Sequence, residues 1–224
     1  MDAAKDALTE LFTSGREFTY ERGDTIIRAG DVPSGVYFIV SGWIKVYTLC
    51  NDGEANIVMS LRPGDVFPLA WTVTGIAHDV SFSALETSCV RRISREDFLQ
   101  ALKTSRTLSQ SMLLIFAQYF FRLTYELENL HYRSARERVA FRLIVLAEQL
   151  GQRNGRQITI NVRIPNEFIA RSTNMTRETA SREISRLNQK KLIITTDGHI
   201  IIPDLAALER EAGRGFNLPV TADK

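Results

Sequence analysis

The stretch Pro165-Asn166-Glu167-Phe168-Ile169-Ala170-Arg171-Ser172-Thr173-Asn174-Met175-Thr176-Arg177-Glu178-Thr179-Ala180-Ser181-Arg182-Glu183-Ile184-Ser185-Arg186-Leu187 decides how the second half of the chain folds. Pro165 suits a first helical position, because its missing N–H would have no partner there. Asn166–Arg171 then reads as a short helix with Phe168 and Ile169 turned inward. Asn174 falls where a tight turn needs a residue tolerant of the left-handed region. Thr176 is placed to cap a new helix, Arg177–Lys190, whose inner face is Ala180, Ile184 and Leu187. Two short helices joined by a tight turn make a helix-turn-helix.

The outer face of the second helix carries Arg177, Glu178, Ser181, Arg182, Ser185 and Arg186. Positions 178 and 182 are one turn apart and stack as neighbours. An arginine fork matches guanine O6 and N7, and a glutamate accepts from cytosine N4. Residues near the start of a recognition helix are the ones that reach base edges. This assigns base contacts to Arg177, Glu178 and Arg182. Ser172, Thr173 and Thr176, with Ser181 and Arg186, are assigned to phosphates, which hydroxyls, helix N-termini and cations hold. The bland reading of Glu178 and Arg182 is an ordinary ion pair on a solvated helix. The short preceding helix, the turn asparagine and the basic surroundings favour the nucleic-acid reading.

Working outward, Asp197-Gly198 between apolar runs is a strong hairpin signal. A hairpin behind a recognition helix is the wing of a winged helix. His199 near its tip is either a solvated turn residue or a phosphate contact. Upstream, Ile158–Ile164 alternates like a strand and Gln152–Gln157 reads as a polar loop. Ser134-Ala135-Arg136-Glu137 matches a capping box that opens a helix running to about Leu150. The net charge of +2 hides an asymmetry: residues 132–202 hold 13 Arg and Lys against 6 Asp and Glu. A polyanion partner is thus expected for this segment alone.

Thr107 to His131 has no Pro or Gly. Leu113, Phe116, Phe120, Leu123, Leu127 and Leu130 recur along it at alternating steps of three and four, an a/d seam. Met112, Ile115 and Tyr119 form a second stripe. A helix apolar on two stripes wants two partners, here its own N-terminal domain and a second copy of the chain, so a homodimer is expected. The alternative is one wide core face in a monomer. Leu130–Arg133 is read as the hinge.

Residues 17–95 read as β. Val36–Leu49, with a break at Ser41-Gly42, is rich in Val, Ile, Phe, Tyr and Trp, and Asn56–Leu61 and Ser81–Ile93 look similar. Turn signals stand between them at Arg22-Gly23-Asp24, Ala29-Gly30-Asp31, Asn51-Asp52-Gly53 and Pro63-Gly64-Asp65. Short strands at this spacing predict an all-β barrel or jelly roll. Ser94 is placed to cap a short helix through Lys103. The whole is an α+β chain: a barrel domain over 1–104, a dimerisation helix and hinge over 105–132, and a winged helix-turn-helix over 133–224.

No apolar run approaches the ~18–20 residues of a membrane span, and Met1–Glu10 lacks the apolar core of a secretory signal. Two cysteines, Cys50 and Cys89, are too few for a disulfide framework and read as reduced thiols in the cytoplasm, Cys89 filling core. No phosphate loop, metal-spaced His/Cys cluster or nucleophile motif points to an enzyme; His78, His131 and His199 are scattered.

Met175-Thr176-Arg177-Glu178-Thr179-Ala180-Ser181-Arg182 resembles the recognition helix of the CRP/FNR family of bacterial regulators. Gly35-Val36-Tyr37-Phe38-Ile39-Val40-Ser41-Gly42 and Arg62-Pro63-Gly64-Asp65-Val66-Phe67 are similar to that family's cyclic-nucleotide-binding-type barrel. The resemblance spans about residues 12–208. It implies a homodimer paired through the long helix, on a palindromic duplex with TGTGA-like half-sites, the two arginines on guanines and Glu178 opposite a cytosine. RNA polymerase is a further partner it implies, through no residue that can be placed.

The effector is where the resemblance breaks. Cyclic-AMP-binding members carry a Gly-Glu pair after Gly-Asp-Val-Phe, and an Arg-Ser or Arg-Thr pair about a dozen residues on. Pro68-Leu69 and His78-Asp79 stand at those places here. Leucine cannot accept from a ribose hydroxyl, and Asp79 would repel a phosphate. Four thiolates for an iron–sulfur cubane are also missing. Haem, bound in some members, would take His78, whose bland reading is a solvated loop histidine. No cofactor is therefore expected. The remaining alternative function is a ligand sensor, with haem or another small molecule in the barrel, whose output is a protein partner.

Overall fold

In the computed structural model, residues 2–49, 55–132, 134–196 and 198–213 are described, with side chains at all of these except 2–6, 122 and 125–132. The chain divides into two compact units, Met1–Tyr119 and Phe120–Lys224. Asn51-Asp52-Gly53, Cys50, Arg133 and Asp197, and the side chains of Leu127, Leu130 and His131, lie outside the described residues.

The first unit opens with α1 (Asp2–Leu11). Its strands are β1 (Arg16–Tyr20), β2 (Thr25–Ile27), β3 (Val36–Ser41), β4 (Ile44–Leu49), β5 (Ala55–Leu61) and β6 (Val66–Phe67). After helix α2 (Leu69–Thr74) come β7 (Ser81–Ala84) and β8 (Ser88–Ile93). They form two antiparallel four-stranded sheets, ordered β1-β8-β3-β6 and β2-β7-β4-β5, the jelly-roll arrangement. Alternation along each strand sends successive side chains to opposite faces. Ile39, Ile44, Phe67, Phe82 and Val90 thereby fill the space between the sheets. Phe67 stacks on Tyr37 and on Phe82, each pair with ring centroids 5.1 Å apart. Val36, Phe38 and Val66 face the other way and pack with Phe12, Phe98 and Met112.

Gly42 separates β3 from β4 with φ +92°, and a β-carbon there would collide with Ser88. The stretch Ser81–Ile93 is not one strand. Leu85-Glu86-Thr87 divides it into β7 and β8, which belong to different sheets. Cys89 is half-buried rather than a core residue, and burial, then Glu17, pushes its thiol up. Leu69 is buried and apolar, whereas His78 and Asp79 are exposed in the loop before β7.

Helix α3 (Arg95–Thr104) starts where the Ser94 hydroxyl accepts from the Asp97 N–H at 3.0 Å. Helix α4 (Arg106–Tyr132) follows. Met112 is buried in the first unit's core, and Ile115, Phe116 and Tyr119 pack against it half-buried. Leu113 (70% exposed), Leu114 (56%), Phe120 (69%), Phe121 (51%) and Leu123 (41%) are bare. Phe116 thus serves the chain's own core as well as lying on the predicted seam.

The second unit comprises α5 (Ala135–Leu150), β9 (Gly151–Asn154), β10 (Gln157–Ile160), α6 (Asn166–Ser172), α7 (Arg177–Gln189), β11 (Ile194–Thr196), β12 (His199–Ile202) and α8 (Leu205–Glu211). Ser134 and Glu137 form the predicted capping box. The sheet order is β11-β12-β10-β9. Within Gln152–Gln157, expected as loop, residues 152–154 instead continue a strand that pairs from Gly151↔Ile160 to Asn154↔Gln157, and β10 stops at Ile160 rather than Ile164. Among the described residues no helix is long and apolar enough to cross a membrane.

Candidate nucleic-acid interface

Helix α6 begins after Pro165, which sits outside the helix at φ −66°, ψ 145° rather than in its first turn. Its other end closes through two donors to the Ala170 carbonyl, Thr173 N–H at 3.2 Å and Met175 N–H at 3.1 Å. Asn174 takes the left-handed conformation, φ 50°, that the turn requires. The Thr176 hydroxyl then accepts from the Thr179 N–H at 3.2 Å and caps α7.

Ala180, Ile184 and Leu187 are buried on the inner face of α7, as their spacing predicts. Glu183 is buried beside them, a feature the apolar periodicity gave no reason to expect. Its Oε1 accepts from Arg186 Nη1 at 2.6 Å and stands 3.8 Å from Arg182 Nε. On the outer face Arg177, Glu178, Arg182, Ser185 and Arg186 are exposed. Hydrogen bonds from its own backbone N–H and from the Thr176 hydroxyl hold the Glu178 carboxyl below its ordinary value, with Arg177 adding to the effect. Glu178 thus stands as an ionised acceptor in the first turn of α7, beside Arg177.

Other residues assigned to phosphates are placed differently. Ser172 and Thr173 are buried, and both hydroxyls donate to the Ile169 carbonyl, at 3.2 and 2.5 Å. They close the helix end and are withdrawn from the surface, a correction to the sequence expectation. Ser181 is half-buried and its Oγ accepts from Asn166 Nδ2 at 3.0 Å, tying α6 to α7. Thr176 and Arg186 remain exposed, and so does His199 at the start of β12.

The wing is fastened to the recognition helix by a residue the sequence reading did not single out. Asn188 Nδ2 donates to Thr195 Oγ1 and Asn188 Oδ1 accepts from the Thr195 N–H, both at 3.0 Å. Thr196 pairs with His199 between the two strands of the wing. The buried Arg142 on α5 donates to the Ser172 carbonyl at 2.9 Å, fixing the end of α6. Glu211 on α8 bridges Arg136 at 2.9 Å and Lys190 at 2.6 Å. Three helices and a hairpin are thus locked around α7, leaving its polar face free.

Comparison with known proteins agrees with this geometry. The family described as "Cyclic nucleotide-binding domain" matches residues 17–105, and the "Crp-like helix-turn-helix domain" matches residues 137–211. The chain belongs to the CRP/FNR family of regulators. This CRP/FNR regulator is 29% identical over 195 residues to the global nitrogen regulator of Nostoc sp. (strain PCC 7120), covering 86% of this chain and 87% of that one. It is 26% identical over 209 residues to the CRP-like cAMP-activated global transcriptional regulator of Mycobacterium tuberculosis, covering 92% of each. Among solved structures, a CRP-family transcriptional regulator from Thermus thermophilus is similar at TM-score 0.74 and 27% identity, covering 90% of this chain and 99% of that one. FixK2 from Bradyrhizobium japonicum shares the fold at TM-score 0.78 and 22% identity, covering 90% and 98%. The relatives are transcription regulators and not enzymes, and this chain is a DNA-binding regulator of the same type.

Proposed function

We propose that this CRP/FNR regulator acts as a homodimer that reads a palindromic duplex, with one α7 in each of two successive major grooves. The observation that carries the reading is the outer face of α7, which exposes the forks of Arg177 and Arg182 together with the ionised Glu178 carboxylate. Each arginine meets a guanine and Glu178 a cytosine, which suits TGTGA-like half-sites. Thr176, Ser181, Arg186 and His199 touch phosphates and set the register. The two half-sites lie about 34 Å apart, one helical turn. The bare stripe of Leu113, Phe120 and Leu123 on α4 supports the second copy; Leu127 and Leu130 would extend it. The site of action is the cytoplasm, where the DNA is, and RNA polymerase is the further partner the family suggests.

The barrel does not suit a cyclic nucleotide in the family's usual mode. Leu69 is apolar and buried where a carboxylate would hold ribose hydroxyls, and exposed Asp79 puts negative charge beside the phosphate place. The regulator therefore works through a different effector, or through none. His78 is exposed in its loop, the setting of a solvated histidine rather than a haem ligand.

Fluorescence anisotropy on the purified chain tests the reading. A duplex with two inverted TGTGA half-sites should be bound about 1,000-fold or more tighter than a shuffled duplex of equal composition. The affinity for both should fall steeply as salt is raised. Equal affinity for the two duplexes, both for the chain alone and with cell extract supplied as an effector source, contradicts the assignment of base contacts.

A further inference from the structure

The two faces of the β1–β8 pair carry charge differently. On one face Glu17 stands opposite Arg91, and Arg91 Nε is ion-paired to Glu17 Oε2 at 3.2 Å. On the other face Arg16 stands opposite Arg92. Like charges directly opposite one another destabilise a sheet. Both guanidinium carbons lie over the Phe18 ring, 5.1 and 4.5 Å from its centroid. A ring face attracts a cation without neutralising it. Among the described residues no carboxylate is ion-paired to Arg16 or Arg92.

Hydroxyl groups gather at the same place. Arg92 Nη1 donates to Ser34 Oγ at 2.7 Å, and Ser34 Oγ lies 2.8 Å from the Tyr37 hydroxyl. Tyr37 stands opposite Arg92 on β3, so the row Arg16, Arg92, Tyr37 crosses the sheet on one face. Tyr20 lies two residues beyond Phe18 on that face of β1. Burial, then the neighbouring Tyr37, pushes its phenol up, with Arg92 pulling the other way. It is therefore a protonated donor at neutral pH. Beneath this polar layer Tyr37 continues into the aromatic stack with Phe67 and Phe82.

We propose that this end of the barrel is a binding site for a small oxyanion, held by Arg92 and Arg16 with Ser34 and Tyr20 as hydroxyl donors. The anion supplies the negative charge that the opposed guanidinium groups lack, and the Arg92 fork suits two oxygens of a carboxylate or phosphate. This site gives the barrel an effector chemistry unlike the ribose-and-phosphate recognition of cyclic nucleotides. It is independent of how α7 reads DNA.

Calorimetry on the full chain at constant ionic strength tests it, with sodium benzoate, sodium phosphate and sodium chloride as probes and polyglutamate as a macromolecular comparison. Saturable millimolar binding of benzoate or phosphate, absent with chloride, is expected. Benzoate alone would identify a carboxylate on a flat apolar body, and phosphate alone a phosphoryl oxyanion. Arg92→Gln should weaken that binding about tenfold or more, and Arg92→Lys, which keeps the charge and loses the fork, by less. Arg91→Gln, on the opposite face, should leave it unchanged. Circular dichroism confirms that the variants are folded. Binding no better than chloride, or equal binding by folded Arg92→Gln, overturns the proposal. So does binding of polyglutamate alone, which would make the surface a dock for an acidic protein.

Discussion

Replacing Phe120 by alanine should loosen the proposed dimer far more than it affects the fold. The side chain is 69% exposed. A phenylalanine covers about 150–250 Å², so the bare part is on the order of 140 Å². At about 25 cal/mol per Å² its burial in an interface is worth about 3.5 kcal/mol, and about 7 kcal/mol for the two copies in a twofold dimer. Alanine keeps its β-carbon, and the seam buries only part of the ring. The expected loss is therefore about half, about 3–4 kcal/mol, or between about two and three powers of ten in the dissociation constant. Within one chain the exposed ring supports little, and alanine is the better helix former, so the melting temperature of the monomer should hardly move. Sedimentation equilibrium from nanomolar to micromolar protein reads the constant. Val32→Ala, at a residue 76% exposed in the β2–β3 loop, is the control and should leave it unchanged. A Phe120→Ala constant equal to that of the parent chain would refute the seam, as would a parent chain that stays monomeric at micromolar concentration.

Arg182→Ala should cost about 1–3 kcal/mol on the specific duplex and much less on random DNA, by competition anisotropy; equal loss on both would make Arg182 a phosphate contact only. Gly42→Ala should lower stability by about 2 kcal/mol or more in urea titrations, because it combines a positive φ with a collision at Ser88, whose Oγ accepts from the Trp43 N–H at 3.1 Å. Glu178 has a depressed carboxyl, so whatever it adds to stability is full above the ordinary carboxylate range and fades as pH falls through its lower folded value. Thr176→Ala removes one of its hydrogen bonds and should move the Glu178 titration upward by NMR, while loss of the α7 cap costs about 1 kcal/mol. An unmoved Glu178 titration would show that the hydroxyl does not hold the carboxylate.

The parts of the fold that the amino acids announced were those specified by neighbours in sequence. The Ser94, Ser134 and Thr176 caps, the left-handed Asn174 and the inner row Ala180, Ile184 and Leu187 are all short-range signals, and each is where local chemistry demands it. β9 was not legible, because Gly151–Asn154 is polar and takes its strand character from pairing with β10. The break in Ser81–Ile93 depends on which sheet each half joins, which no alternation pattern contains.

At the site, the exposed trio on α7 followed from helical spacing alone. The withdrawal of Ser172 and Thr173 did not: a hydroxyl near a helix end can face solvent or bond back to a carbonyl in the preceding turn, and packing chooses. Glu183 and Asn188 were missed because a polar residue on a helix reads as solvated unless its tertiary partners are known. The opposition of Arg16 and Arg92 likewise exists only once β1 and β8, some seventy residues apart, are paired in register.

Selection of bound duplexes from a random pool, with purified chain and no additive and again with cell extract as an effector source, tests the central claim most directly. The account predicts enrichment of an inverted repeat with TGTGA-like halves whose centres are about 10–10.5 base pairs apart. A pool that stays unenriched under both conditions, or that converges on a single unrepeated motif, would contradict it.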